Sequence, residues 1–117
     1  MTHRYLYYKC NVVAMKQQAV FTIRKSTVET AIGWVESGMF DTVSDVYNYC
    51  LRSLLDHVEV NGLGNLIHLP RTETIQRSMR INKYVLDELT EKGFWTRRGD
   101  ILDYAIIFYE SWRMGKN

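Results

Sequence analysis

The chain has one proline, two cysteines and three histidines among its 117 residues. A single proline and no low-complexity run leave no sign of a disordered tract. Cys10 and Cys50 stand alone, without the C-x-x-C spacing of a zinc or redox motif. Cys50 falls on a periodic apolar face and reads as a reduced core residue. His3, His57 and His68 lack metal-ligand spacing, so no metal site is expected. No nucleophile is set beside a base and no carboxylates are paired for catalysis, so neither an enzyme nor a cofactor is expected. No apolar stretch approaches the roughly 18 residues of a membrane span. The opening "MTHRYLYYKC" has no uninterrupted apolar region of the kind a signal peptide carries. These absences point to an intracellular protein with no membrane partner.

What is present is a balanced globular composition, 46% hydrophobic with 15 basic and 13 acidic residues. The length allows one domain or two very small ones. The chain also repeats itself. "VESGMFDTVSDV" at 35–46 returns as "TEKGFWTRRGDI" at 90–101, an offset of 55 residues. Glu36 matches Glu91, Gly38 matches Gly93, Asp45 matches Asp100, and Tyr49 matches Tyr104. A unit of about fifty residues struggles to bury a core alone, whereas two packed together do not.

Each unit reads as strand, helix, tight turn, helix. In "QQAVFTIRKS", Ala19, Phe21 and Ile23 alternate with Gln18, Val20, Thr22 and Arg24, which predicts a strand with one apolar face. "STVE" at 26–29 has capping-box spacing. Val28, Ile32 and Val35 predict the buried stripe of a first helix, and Gly38 is placed to end it. Thr42 or Ser44 starts a second helix whose buried face is Val46, Cys50, Leu51, Leu54, Leu55 and Val58. In the second unit, "IQRSMRI" turns Met79 and Ile81 one way and Gln76, Ser78 and Arg80 the other. Asn82 is a candidate cap, and Val85, Leu86 and Leu89 form a short stripe before Gly93. The last helix is predicted from Thr96 to about Trp112, with Ile101, Leu102, Ala105, Ile106, Phe108 and Tyr109 as its apolar content. Matching Ile23 to Ile81 needs an offset of 58, because 55 would bury Gln76 and Ser78 without partners. The second unit's first helix is therefore expected to be three residues shorter. The predicted divisions are 1–58, a linker at 59–74, and 75–117.

Charge is uneven. Residues 1–28 carry Arg4, Lys9, Lys16, Arg24 and Lys25 and no acid. Residues 71–83 carry Arg71, Arg77, Arg80 and Lys83 against Glu73 alone. Two basic stretches at equivalent places in a repeat can form one anion-facing patch.

The segments "FTIRKS", "ESGMFDTVSDVYNYCLRSLL", "MRINKY" and "EKGFWTRRGDILDYAI" resemble the ribbon-helix-helix family of DNA-binding regulators. Two units in one chain resemble the tandem form known from archaeal filamentous viruses, which would place the protein in a host cytoplasm. The second unit departs from the pattern at Gly99, where the turn serine belongs, and in its short first helix. The resemblance implies a mainly helical fold with a small antiparallel ribbon, the two units forming a pseudo-dimer. Apart from the resemblance, "RYLYYKCNVVAM" and "NLIHLP" are β-prone and not explained by the repeat; at least one is expected to add a strand or a contact between molecules, the alternative for each being an ordered arm covering the core. The resemblance also implies a transcription regulator that inserts the ribbon into the major groove of double-stranded DNA, with self-association on the DNA. The implied base-reading set is Gln18, Val20, Thr22 and Arg24 with Gln76, Ser78 and Arg80. Gln suits adenine, Arg suits guanine, and Val20 suits a thymine methyl. The implied phosphate contacts are the helix starts at Val43, Ser44 and Asp45 and at Arg98, Gly99 and Asp100, with charge from Arg97 and Arg98.

Plainer roles compete with each residue. Arg80 could pair with Glu73 or Asp87, Ser44 could be only a cap, and Trp34, Phe40, Trp95, Phe108 and Trp112 read as core or interface. The rival function is a protein-interaction module, antitoxin-like or scaffold, with this fold and no DNA reading. Antitoxins of the family usually carry a long charged tail, and only "SWRMGKN" follows the last helix.

Overall fold

The computed structural model describes residues 16–64, 68–94 and 97–115. The element order is β1 (Lys16–Arg24), α1 (Lys25–Glu36), α2 (Val43–Asn61), β2 (Thr74–Asn82), α3 (Lys83–Glu91) and α4 (Arg98–Gly115). The expected strand, helix, turn, helix order occurs twice. The strands begin at 16 and 74, an offset of 58, while α2 and α4 begin at 43 and 98, an offset of 55. The difference is taken up where expected: α1 has 12 residues and α3 has 9.

β1 and β2 pair antiparallel in a two-stranded sheet. Val20 faces Ser78, and the register runs evenly outward to Gln18–Arg80 on one side and Thr22–Gln76 on the other. Because 20 and 78 differ by the strand offset, the register is symmetric about this pair. One face is mostly apolar, with Phe21, Ile23, Met79 and Ile81 buried on the helices and Arg77, half-buried, opposite Phe21. Ala19 and Ile75, on the same face, are half-buried.

α2 buries the whole face expected of it, Val46 to Val58, and adds Tyr47. Burying each large apolar side chain contributes about 1.5–3 kcal/mol, so this helix anchors the core. α4 answers it with Ile101, Leu102, Ala105 and Ile106. The turns between helices are the same in both units. Gly38, at φ 86°, donates to the Val35 carbonyl while Met39 donates to Trp34. Gly93, at φ 94°, donates to Thr90 while Phe94 donates to Leu89. The left-handed φ is what glycine supplies there.

Four expectations change. The Ser26 capping box is not used: α1 starts at Lys25 with Arg24 at its cap position and no side-chain cap. The reason is Asp103, which binds the Arg24 backbone N–H and holds residue 24 extended, so the helix begins directly after it. Ile32 is exposed, and Thr27, Val28 and Ala31 take the buried side of α1. Thr27 can sit inside because its hydroxyl donates to Asp103 at 2.7 Å and meets the Tyr47 hydroxyl at 2.9 Å. α2 runs past Val58 to Asn61, so the connection to β2 is shorter than the predicted linker. The last helix begins at Arg98, and Thr96 lies outside the described residues.

Of the two extra segments, "RYLYYKCNVVAM" lies outside the described residues. Residues 68–70 of "NLIHLP" form no strand, although Leu69 packs against the core. Among the described residues no helix is long and apolar enough to cross a membrane.

Candidate nucleic-acid interface

Strand alternation puts Gln18, Val20 and Thr22 of β1 and Gln76, Ser78 and Arg80 of β2 on the ribbon's outer face, and all six are exposed. At the centre, Val20 is 61% exposed, an apolar side chain facing water with a hydroxyl opposite. The Gln18 side-chain amide donates to the Ser78 hydroxyl across the strands. Arg80 has no carboxylate partner among the described residues, because Glu73 pairs with Lys25 and Asp87 with Lys83.

Arg24 is placed differently from its neighbours. Its guanidinium turns down the side of the sheet and reaches Asp103 at 2.8 Å and Asp100 at 3.1 Å. Its Nε donates to the Pro70 carbonyl. Burial works against its charge, but the hydrogen bonds to Asp103 and Asp100 outweigh that and hold its pKa above the ordinary value. Arg24 is thus a clasp between β1 and α4 and is not presented beside Thr22.

The outer edges of both strands are held by the second helices, crosswise. α2, from the first unit, packs on β2, and α4 packs on β1. On β2, Ser44 Oγ accepts from the Arg80 backbone N–H at 3.2 Å. Asn48 donates to the Arg80 carbonyl and accepts from the Asn82 N–H. On β1, Asp103 accepts from the Arg24 N–H and side chain and from Thr27. Burial raises the Asp103 carboxyl above the usual carboxylate range, although bonds from Thr27 and Arg24 pull the other way. These bonds satisfy the outer backbone groups at one end of each strand, at Arg24 on β1 and at Arg80 and Asn82 on β2.

Neither Asn48 nor Asp103 was singled out by the sequence reading. The signal was available: they are 55 residues apart, as are α2 and α4, and each lies on an otherwise apolar helix face.

The two helix starts differ. Position for position, Thr42, Val43 and Ser44 correspond to Arg97, Arg98 and Gly99. Thr42 caps α2 by accepting from the Asp45 N–H, Val43 packs against the core, and Ser44 is occupied with Arg80. At α4, Arg97 and Arg98 are exposed, and the Arg98 guanidinium lies 5.2 Å from the centre of the Phe21 ring. A Cβ on Gly99 would sit 1.9 Å from the Thr22 carbonyl oxygen, so only glycine lets α4 come this close to β1. That contact accounts for the missing turn serine. Val20, Thr22, Arg97, Arg98 and Gly99 line one groove between β1 and the start of α4. Gln18 and Arg80 lie toward the opposite end of the ribbon, beside α2.

Cys50 is buried and free, and burial pushes its thiol up to about 12, so it has no reactive thiolate near neutral pH. Comparisons with protein-family models, curated proteins and solved structures give no match to this chain.

Proposed function

We propose that the protein is a sequence-specific double-stranded DNA-binding transcription regulator, built as two ribbon-helix-helix units in one chain. In this reading a single chain mimics the usual dimer and needs no second copy to complete the ribbon, while self-association on DNA remains a separate step. The single observation that carries the reading is the register. It collects six short or hydrogen-bonding side chains on one exposed face, with no acid among them.

A two-stranded ribbon fits the major groove, where every base pair shows a distinct pattern of donors and acceptors. Arg80 has the fork to take both acceptors of a guanine, Gln18 and Gln76 can each take an adenine, and Val20 can meet a thymine methyl. Arg97 and Arg98 would meet phosphate, which sets orientation and carries no sequence information.

The test is duplex DNA binding across a salt series. Release of counterions from contacted phosphates makes log K fall linearly with log salt. A steep fall, with one duplex sequence preferred at every salt concentration, supports the reading. Binding that is absent or indifferent to salt would leave the protein-interaction module as the better account.

A further inference from the structure

We infer that the ribbon engages DNA in one fixed orientation, with one half reading bases and the other gripping the phosphate backbone. The inference rests on the DNA-binding reading above and names the kind of site it would take: a duplex whose two halves are unequal.

The argument starts from the register centre. Val20 and Ser78 face each other there, so even the middle of the ribbon is unlike on its two strands. The residues on either side differ more. One half offers Gln18 opposite Arg80, and the other offers Thr22 opposite Gln76. Gln18 donates to Ser78, which fixes its amide plane. Gln76, its counterpart, lies diagonal to Val20, which has no acceptor to hold it. The first half therefore presents a long cation beside a fixed amide, and the second a short hydroxyl beside an amide that is not held.

The helix starts reverse the balance. The reading half abuts the start of α2, where Ser44 holds Arg80. That start carries Asp41 and Asp45 and no basic residue. The other half abuts the start of α4, where Gly99 touches Thr22. There Arg97 and Arg98 are exposed, and the nearby Asp100 shares the Arg24 guanidinium with Asp103, at 3.1 and 2.8 Å. A phosphate meets like charge at α2 and two cations at α4. Base discrimination and backbone attraction are thus on opposite ends of one ribbon, which a symmetric dimer cannot arrange.

The experiment selects bound sites from random-sequence duplexes with the full chain, then maps phosphate contacts on the best site by ethylation interference. The expected motif is not self-complementary. It has one guanine position preferred roughly tenfold or more, and the strongest phosphate interference lies to the far side of it. Thr22→Arg, at an exposed position, should add a second guanine preference at the mirrored position and make the motif more symmetric. A self-complementary wild-type motif, or phosphate interference equal on both sides, would overturn the inference while leaving DNA binding intact. Failure of any duplex to be enriched would remove the DNA reading itself, and this inference with it.

Discussion

Asn48 and Asp103 occupy the same place in the two units, yet one is an amide and the other a carboxylate. Asn48 clasps β2 with neutral bonds to Arg80 and Asn82. Asp103 clasps β1 with a buried charge, answered by Arg24, Thr27 and the Arg24 backbone. The same geometric need, closing the outer edge of a ribbon strand, is met once without charge and once with it. The comparison teaches where the charge matters. Burial raises the pKa of Asp103 while bonds from Thr27 and Arg24 pull it back, and the same pair holds Arg24 above its ordinary value; a buried ion pair of this kind is weak evidence for stability over an uncharged clasp. Breaking it is another matter, because the survivor is left uncompensated.

Asp103→Ala should therefore have the largest effect. It removes the shorter of the two ion pairs of the Arg24 side chain, which is 14% exposed, leaves the Arg24 N–H without an acceptor, and takes one partner from the Thr27 hydroxyl. The expected loss is about 3 kcal/mol by denaturant unfolding, and a loss near zero would mean that water or Asp100 replaces the clasp. Gly99→Ala comes next, at about 2 kcal/mol, because its methyl meets a backbone oxygen that cannot move without the strand. The equivalent Ser44→Ala adds no atom and should cost less; equal losses would break the claim that the start of α4 has no room for a Cβ against β1. Asn48→Ala should cost about 1 kcal/mol, since it leaves an exposed carbonyl at Arg80 and a part-buried N–H at Asn82, both neutral, without their partner.

The smallest effect is one of pH. Asp103 has a folded pKa above its ordinary 3.8. Its protonated form is favoured by folding, so that contribution is complete below 3.8 and is lost as pH rises through the raised value. Asp103→Asn keeps an acceptor but cannot titrate. Thermal unfolding from pH 3 upward should show the wild type losing ground to Asp103→Asn across that window, while Asn48→Asp reproduces the loss in the other unit. Parallel curves for wild type and Asp103→Asn would mean that Asp103 is not the titrating group.

Much of this architecture was legible in the sequence. Alternation gave both strand faces, and the need to keep Gln76 and Ser78 out of the core gave the offset of 58 and the shortened α3. The apolar face of α2 was legible because Val46, Cys50, Leu51, Leu54, Leu55 and Val58 recur at helical spacing. What escaped were polar residues on buried faces. Thr27 displaces Ile32 from the inner side of α1 only because Asp103 and Tyr47 satisfy its hydroxyl, partners 76 and 20 residues away. Arg24 had the parity of an outward residue, but a long side chain can fold back along the sheet, and parity says nothing of where its end goes. For the interface, the positions of the six outer-face residues were readable. The contrast between the two helix starts was written in the sequence, but its meaning needed the crosswise packing of α2 on β2 and α4 on β1.

The central claim is that the outer face of the ribbon reads bases, and Arg80 and Arg97 separate it from mere attraction to DNA. Both variants are compared on the preferred duplex and on a scrambled one at a single fixed salt concentration, since affinity shifts with ionic strength. Arg80→Ala should reduce the ratio of the two affinities by roughly tenfold. Arg97→Ala should weaken both duplexes alike and lower the salt slope, leaving the ratio at its wild-type value. If Arg80→Ala instead binds the preferred and scrambled duplexes in the wild-type ratio, the ribbon face does not read sequence through Arg80 and the account fails at its centre.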